Sequence, residues 1–390
     1  MKETIIIDKV ILKKGHTASR LSAIIIIDGI QKEMFFEVDQ TYGKYFCETR
    51  ADCFVVALLP QAAMDGQDIV SRIPVSERLL FQLNFFLCVV LARVYQKKKI
   101  KVSAPADDRI IENSGAVGTG LTCGVDSLYT VASYTKTAYR NHNLTHLCLL
   151  NVGSHHIGRI DPEEMGRFRL DHTKRFCDNN SFAFVHINSN VHDFSPNYTR
   201  YFTLLNAAAV MSLLRLFSLY YHSSGVSIEN FHVTAVDLAH FEVFVLKMVS
   251  MGNLKFFSAG TEVSRLEKVR ILTTYPESYY YLNVCNLYPE NCGKCIKCLR
   301  TLYALDIFNA LDKYSKVFDL TDYQKNHDRY MGECFARAFF ARDQFCREIW
   351  PLLKKKYRVS MWARISEVIR FIRSRFKIYS LSHILYRLRD

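Results

Sequence analysis

Four cysteines, Cys285, Cys292, Cys295 and Cys298, fall within fourteen residues of a 390-residue chain. Spaced by six, two and two residues, they offer four thiolates, a complete tetrahedral shell for zinc. The two short steps let the last three ligands come from one knuckle, in which Gly293 relieves backbone crowding and Cys285 reaches in from the preceding loop. Four protein ligands leave no open coordination position, so a structural role is expected. An iron–sulfur cluster suits the same four thiolates and is the rival occupant. A second candidate lies upstream, in Gly115-Ala-Val-Gly-Thr-Gly-Leu-Thr-Cys-Gly-Val-Asp-Ser127. Here Gly120, Leu121, Thr122, Cys123, Gly124 and Val125 carry the chain from an expected strand into a helical pattern. Small residues let backbone N–H groups close around an anion at the positive end of that helix. Asp126 or Ser127 can cap the helix or hold magnesium beside a phosphate. The Gly-Lys-Ser/Thr ending of a Walker loop is missing, which excludes a conventional phosphoryl-transferring P-loop. The plain alternative is a capped turn with no ligand.

Other residues are weaker candidates. Asn151, at the end of an expected strand, precedes Gly153-Ser-His-His156, where a base or ribose would lie on the carboxyl edge of a sheet. Ordinary solvated histidines explain that pair equally well. Asp237 also follows an expected strand and can bind magnesium or substrate, or simply cap a helix. Arg265 and Lys268, three apart, share one helical face and can neutralise a pyrophosphate leaving group.

The elements that must position these groups are legible from periodicity. Residues 1–110 form an expected N-terminal α+β domain, with strands at Thr4–Asp8, Ala23–Asp28, Met34–Val38 and Cys53–Leu58 and a helix over Pro74–Tyr95. Residues 111–282 alternate strand candidates (Val117–Leu121, His146–Val152, Phe182–Asn188, His232–Val236, Leu254–Ser258) with helical segments (Asp126–Lys136, Pro162–Asp178, Tyr201–Tyr221, Asp237–Met251). Such alternation gives an α/β fold, a doubly wound parallel sheet with its ligand site at the carboxyl edge. Residues 283–312 hold the cysteine segment, and 313–390 a helical extension ending in a basic tail.

Composition agrees with a globular protein: 49% hydrophobic and 23% charged residues exclude wholesale disorder. The apolar stretches Leu79–Tyr95 and Leu204–Tyr221 are broken by Gln82, Asn84 and Arg93, and by Asn206 and Arg215, so no transmembrane segment is expected. With no leader pattern at the start, the chain reads as cytoplasmic, and twelve cysteines then argue for buried thiols and a metal site. Of the net charge of +13, the segment 354–390 carries +9. Its apolar residues from Ile365 to Leu388 are interleaved with arginines, as in an amphipathic basic helix or pair of helices. Such a tail suits a membrane surface, RNA, an acidic partner protein, or packing on its own chain. Oligomeric state is not legible.

Thr122-Cys-Gly-Val-Asp-Ser127 resembles the Ser-Gly-Gly-x-Asp-Ser signature of PP-loop ATP pyrophosphatases, with Thr122 for serine and Cys123 for the first glycine. Downstream, Ser264-Arg-Leu-Glu-Lys-Val-Arg270, then Cys285, then Asn291-Cys-Gly-Lys-Cys-Ile-Lys-Cys-Leu-Arg300 resemble the end of 7-cyano-7-deazaguanine synthase, an enzyme family of queuosine biosynthesis. Arg265 falls at that family's lysine, Glu267 at its glutamate and Arg300 at its closing arginine. Leu205-Asn206 stands where the family has Arg-Asn, so Asn206 matches and the arginine is replaced. The resemblance covers about residues 115–300. It implies an adenine-nucleotide alpha-hydrolase-like domain that splits ATP, with Mg2+, into AMP and pyrophosphate. A carboxylate, here of deazaguanine type, would be adenylated, and ammonia or an amine would displace AMP. Asp126, Ser127, Arg265 and Lys268 would be the catalytic set, with Asn151, Asn206 and Asp237 beside the nucleotide or substrate and Zn2+ on the cysteines. The extra N-terminal and C-terminal regions are similar to those of synthase-like proteins from bacterial polysaccharide and antiphage-defence loci, some of which join a deazaguanine base to a partner protein. A nucleotide-binding scaffold with no turnover is the reading from another class. RNA thiolation is a third, and it would bring tight tRNA binding and an iron–sulfur chromophore.

Overall fold

The computed structural model describes residues 4–157 and 159–387, with the side chains of 157 and 375–387 left aside. The chain divides into two compact units, Met1–Ser264 and Arg265–Asp390.

The first unit is built on one ten-stranded sheet in which the N-terminal strands continue the parallel ones. β1 (Ile5–Lys14), β2 (Ala18–Ile27) and β3 (Ile30–Asp39) form an antiparallel meander, joined across the tight Asp28-Gly29 turn between β2 and β3. Each alternates buried and exposed residues over part of its length, so one face is core. β4 (Ile69–Ser71) and then β6 (Val102–Ser103) extend the sheet beside β1, while β5 (Val75–Ser76) pairs separately with β7 (Ala106–Asp107). The parallel part comprises β8 (Ala116–Gly120), β9 (His146–Asn151), β10 (Ala183–Ser189), β11 (Phe217–Ser223) and β12 (Lys255–Ala259). Across the whole sheet the order is β12-β11-β8-β9-β10-β3-β2-β1-β4-β6, with β3 antiparallel to β10.

Numbered alone in chain order, the five parallel strands read 5-4-1-2-3. The chain leaves β8 in one direction for β9 and β10, then returns to the other side of β8 for β11 and β12. The crevice between β8 and β11 is therefore the topological switch point, where open α/β sheets bind ligands. The connecting helices are α4 (Val125–Tyr134), α5 (Pro162–Asn179), α6 (Tyr198–Ser212) and α7 (Glu242–Val249). Close strand packing at the crevice depends on Gly118, where an added Cβ would meet the Phe217 ring at 2.6 Å. Gly118→Ala is expected to lower the stability of this unit by about 1–3 kcal/mol through overpacking. Urea midpoints would show it, and an unchanged midpoint would mean that Phe217 has room to turn.

Four expected elements differ. Cys53–Leu58, read as a strand, lies inside the helix α1 (Asp52–Asp65), which is buried on nearly every side. Such a helix shows no amphipathic period, so a short apolar run cannot be told from a strand. Tyr201–Tyr221, read as one helix, divides at Leu213–Leu216 into α6 and β11. His232–Val236 is irregular and exposes Val233 and Val236. The helical reading of Pro74–Tyr95 becomes α2 (Glu77–Gln82) and α3 (Cys88–Tyr95), joined through a π turn at Leu83–Leu87. Over Glu77–Tyr95 the chain is long and apolar enough to cross a membrane. Yet Leu79, Leu83, Leu87 and Leu91 are buried in the core. The interrupting polar groups are also used internally: Gln82 donates to the carbonyls of Met248 and Ser250, and Asn84 exchanges hydrogen bonds with Val102. Satisfied amides of this kind belong to a packed unit.

The second unit is helical: α8 (Arg265–Leu272), α9 (Ser278–Tyr281), α10 (Ile296–Ile307), α11 (Thr321–Lys325), α12 (His327–Phe339), α13 (Gln344–Lys356) and α14 (Met361–Arg387). Its core gathers Tyr303, Tyr314, Phe318, Tyr323, Cys334 and Cys346. The basic tail is one helix rather than two, and Leu388 lies outside the described residues.

Candidate nucleotide crevice and candidate metal centre

The loop after β8 is shaped by its own backbone. Leu121 donates to the Cys148 carbonyl at 2.8 Å, continuing the β8–β9 pairing, and its side chain is buried. Thr122 is exposed. Cys123 then takes φ +55°, the left-handed region that favours glycine, which reverses the chain and sends the side chain inward. Cys123 is fully buried, and burial raises its thiol well above the ordinary range, with Cys177 adding to the rise. It therefore sits away from the open side of the loop. Gly124, extended, is the N-cap of α4, and with no side chain it leaves the helix N-terminus without a side-chain acceptor. The expected capping by Ser127 does not occur. Ser127 Oγ instead donates back to the Gly124 carbonyl at 3.1 Å, and Ser127 and Val125 are buried. Asp126, half-buried, turns toward the end of β11, where a Cβ on Gly225 would lie 3.9 Å from its Oδ2. Thr119 Oγ1 ties the two strands just below, donating to the Tyr221 carbonyl at 2.7 Å. The first turn of α4 thus brings a positive helix end and a carboxylate to one crevice. An anion and a cation can be held there together.

Asn151 ends β9, one strand away. Its Nδ2 donates to Asn188 Oδ1 at 2.7 Å, while its own Oδ1 is buried with no hydrogen-bond partner. The adjacent histidines separate. His155 is buried against Gly166 of α5, and burial, with Arg169 nearby, lowers its pKa to about 3. That is a neutral core histidine. His156 is exposed, its ring 4.3 Å from that of His192.

Asn206 and Asp237 meet around a residue that sequence reasoning missed. Burial pushes the Tyr198 phenol up, with the charge of Asp237 adding to the rise and Arg169, Ser154 and Asn206 opposing it. Asp237 caps the following turn by accepting from Ala239 N at 2.8 Å. Burial raises its carboxyl to about 6, with Glu242 adding to the rise and the Ala239 N–H and His222 opposing it. His222 and Glu242 were also missed: both are buried, their nearest atoms are 3.4 Å apart, and Ser258 Oγ donates to Glu242 at 2.5 Å. A carboxylate inside the apolar run Phe241–Val249 was the available signal.

Arg265 and Lys268 open the second unit. There the Arg265 and Arg300 guanidinium groups lie 5.7 Å and 4.6 Å from the Phe345 ring, and Lys268 is buried.

The four cysteines of the second unit converge. Sγ–Sγ distances are 3.9 Å for Cys285–Cys295, 4.0 Å for Cys292–Cys298 and 3.5 Å for Cys295–Cys298, and all four sulfurs lie within 4.8 Å of one another. Four thiolates bound to one zinc at ~2.3 Å would sit ~3.8 Å apart. A multi-iron cluster must fit inside its cage and spreads its thiolates wider, so the spacing fits a single tetrahedral ion such as zinc. Gly293 adopts φ +66° at the knuckle, and Cys295 N donates to Cys292 Sγ at 3.3 Å. Asn291 braces the centre from behind. Its Oδ1 accepts from the backbone of Val284 and Cys285, and its Nδ2 donates to the carbonyls of Leu282 and Val317. Cys295 stands at the N-cap position of α10 and Cys298 lies in its first turn, where the helix end favours thiolates.

Comparison with known protein families, curated proteins and solved structures returns no match to this chain.

Proposed function

We propose that the chain is an ATP-dependent ligase of the PP-loop ATP pyrophosphatase type, which adenylates a small-molecule carboxylate and passes it to ammonia or an amine. The placement of Gly120–Ser127 at the switch point between β8 and β11 carries this proposal. The phosphates of ATP would lie at the uncapped N-terminus of α4, against the backbone N–H groups of the loop. A magnesium ion beside Asp126 would supply the charge that neutralises the phosphates. The carboxylate oxygen attacks the α-phosphorus, the bond to the bridging oxygen breaks, and pyrophosphate leaves with its electron pair. The nitrogen nucleophile then attacks the acyl carbon and expels AMP. Fixed N–H donors aimed at charge developing on phosphate are expected to supply most of the acceleration. Cys123 does not obstruct this arrangement, because its side chain is turned into the core. The polar group of Tyr198, Asn206 and Asp237 is the natural place for the carboxylate substrate. A deazaguanine-type acid is the best candidate on the motif resemblance, and the four cysteines would hold zinc as a brace.

The test is product analysis from α-labelled ATP with magnesium, carboxy-deazaguanine and ammonia. Carboxylate-dependent AMP is expected, and Asp126→Ala should lower its rate by on the order of a hundredfold or more. ATP binding with no AMP from the carboxylate would instead support the scaffold reading.

A further inference from the structure

The helix α14 presents a second apolar face that nothing in its own unit covers. One side packs on α12. Glu367 is buried there and pairs with Arg329 at 3.3 Å, Arg364 lies 5.9 Å from the Phe335 ring, and Gly332 leaves the space beneath the Ala363 carbonyl. On the far side, Met361 (68% exposed), Trp362 (80%), Ile365 (44%), Ile369 (44%) and Ile372 (40%) face solvent. At ~100° per residue these five fall within an arc of about 100°, opposite the face occupied by Ala363 and Glu367. Arg373, exposed, borders the arc, Arg370 pairs with Glu367 at 2.7 Å, and Lys354, Lys355 and Arg358 are exposed just upstream. The one carboxylate between 354 and 374 is Glu367, which is buried, so among the described side chains of this segment no acid reaches the surface.

We propose that this face of α14 docks on an anionic phospholipid bilayer surface. The apolar arc would enter the acyl boundary, Trp362 would sit at headgroup depth, and the arginines would meet lipid phosphates. The charge pattern disfavours a second copy of the chain, since pairing two such faces brings arginines together with no carboxylate between them. Single-stranded nucleic acid is disfavoured by the isoleucines, which offer neither a stacking plane nor a hydrogen bond to a base.

Sedimentation of the full zinc-loaded chain with lipid vesicles tests this. The protein should pellet with equimolar phosphatidylcholine–phosphatidylglycerol vesicles and stay in solution with phosphatidylcholine alone. Trp362 emission should shift to the blue on binding, over a constant background from the buried Trp350. Ile365→Ser with Ile369→Ser should weaken binding by on the order of tenfold or more. Arg373→Ser should cost about fivefold. These three positions are exposed, so melting temperature and zinc content should be unchanged, which separates lost docking from lost folding. Three results would overturn the proposal: no association with anionic vesicles, association that the serine pair leaves intact, or a wild-type dimer that the same pair converts to monomer.

Discussion

Cys298→Ser is expected to release the zinc and unfold the amino end of α10. Cys298 is fully buried in the first turn of that helix and lies 3.5 Å from Cys295 and 4.0 Å from Cys292. A serine oxygen is a poor substitute for a thiolate in a tetrathiolate shell, and the remaining three sulfurs would be left as close, mutually repelling or proton-sharing groups. The Cys285 and Cys295 sulfurs already lie 3.9 Å apart. Structural zinc contributes ~10–16 kcal/mol in small fingers, where the whole fold depends on it. Here α10 also packs on α8 and α13, so a loss of about 3–6 kcal/mol is the reasonable share. Metal analysis and thermal melting would show it. One zinc per wild-type chain, none in the variant and a melting point lower by at least ten degrees or so are expected. Chelation should lower the wild-type melt and leave the variant unchanged. A stable variant with unaltered metal content would contradict the assignment.

The second large effect concerns Asp306, the polar centre of the same unit. Its carboxylate accepts from Tyr357 at 2.6 Å, from Tyr323 and His327 at 3.0 Å and from Lys356 at 3.1 Å. Asp306→Ala removes the acceptor for all four donors and leaves buried Tyr323 without its partner. The expected loss is about 2–4 kcal/mol, tempered because Lys356 and His327 reach partial solvent. Burial pushes the Asp306 carboxyl up, but the bonds from His327, Tyr357, Lys356 and Tyr323 outweigh it and hold it at about 2. The unfolded group titrates near 4. A lowered folded pKa gives stability that is fully present above the unfolded value and is lost as pH falls toward the folded one. Wild-type melting temperature should therefore fall between about pH 4 and pH 2 more steeply than that of Asp306→Ala. Parallel curves would show that the network does not act through this carboxylate.

Much of the candidate site was legible because it depends on local chemistry. The cysteine spacing fixes a short loop into a knuckle, and Gly293 with its positive φ is where the sequence places the turn. The β8 loop was legible for a similar reason, since small residues between an apolar run and a helical period leave few backbone options. Sequence did not show how the residues after the loop behave. Ser127 turns its hydroxyl back to Gly124 because Gly124 itself occupies the cap position, a shift of two or three residues that composition cannot resolve. Tyr198 and His222 were invisible because nothing in their local sequence marks them, and Glu242 stood out only as a carboxylate inside an apolar run; strand order pairs it with His222. The meander was partly visible: Ile5, Ile25 and Phe36 lie within expected strands, but the sequence alone does not reveal that β3 joins β10 in one sheet. That pairing involves only Glu37 with Asn188 and Phe36 with Ser189. The all-round burial of α1 erased the period that would have named it a helix.

The most direct test of the central claim follows an oxygen atom. Carboxy-deazaguanine labelled with 18O in its carboxyl group would be incubated with the wild-type chain, ATP, magnesium and ammonia, and the nucleotide products weighed. Attack of the carboxylate on the α-phosphorus predicts AMP carrying one 18O, with pyrophosphate and a nitrogen-containing product formed alongside it. ADP and inorganic phosphate, or AMP containing none of the label, would contradict adenylation at the β8–β11 crevice.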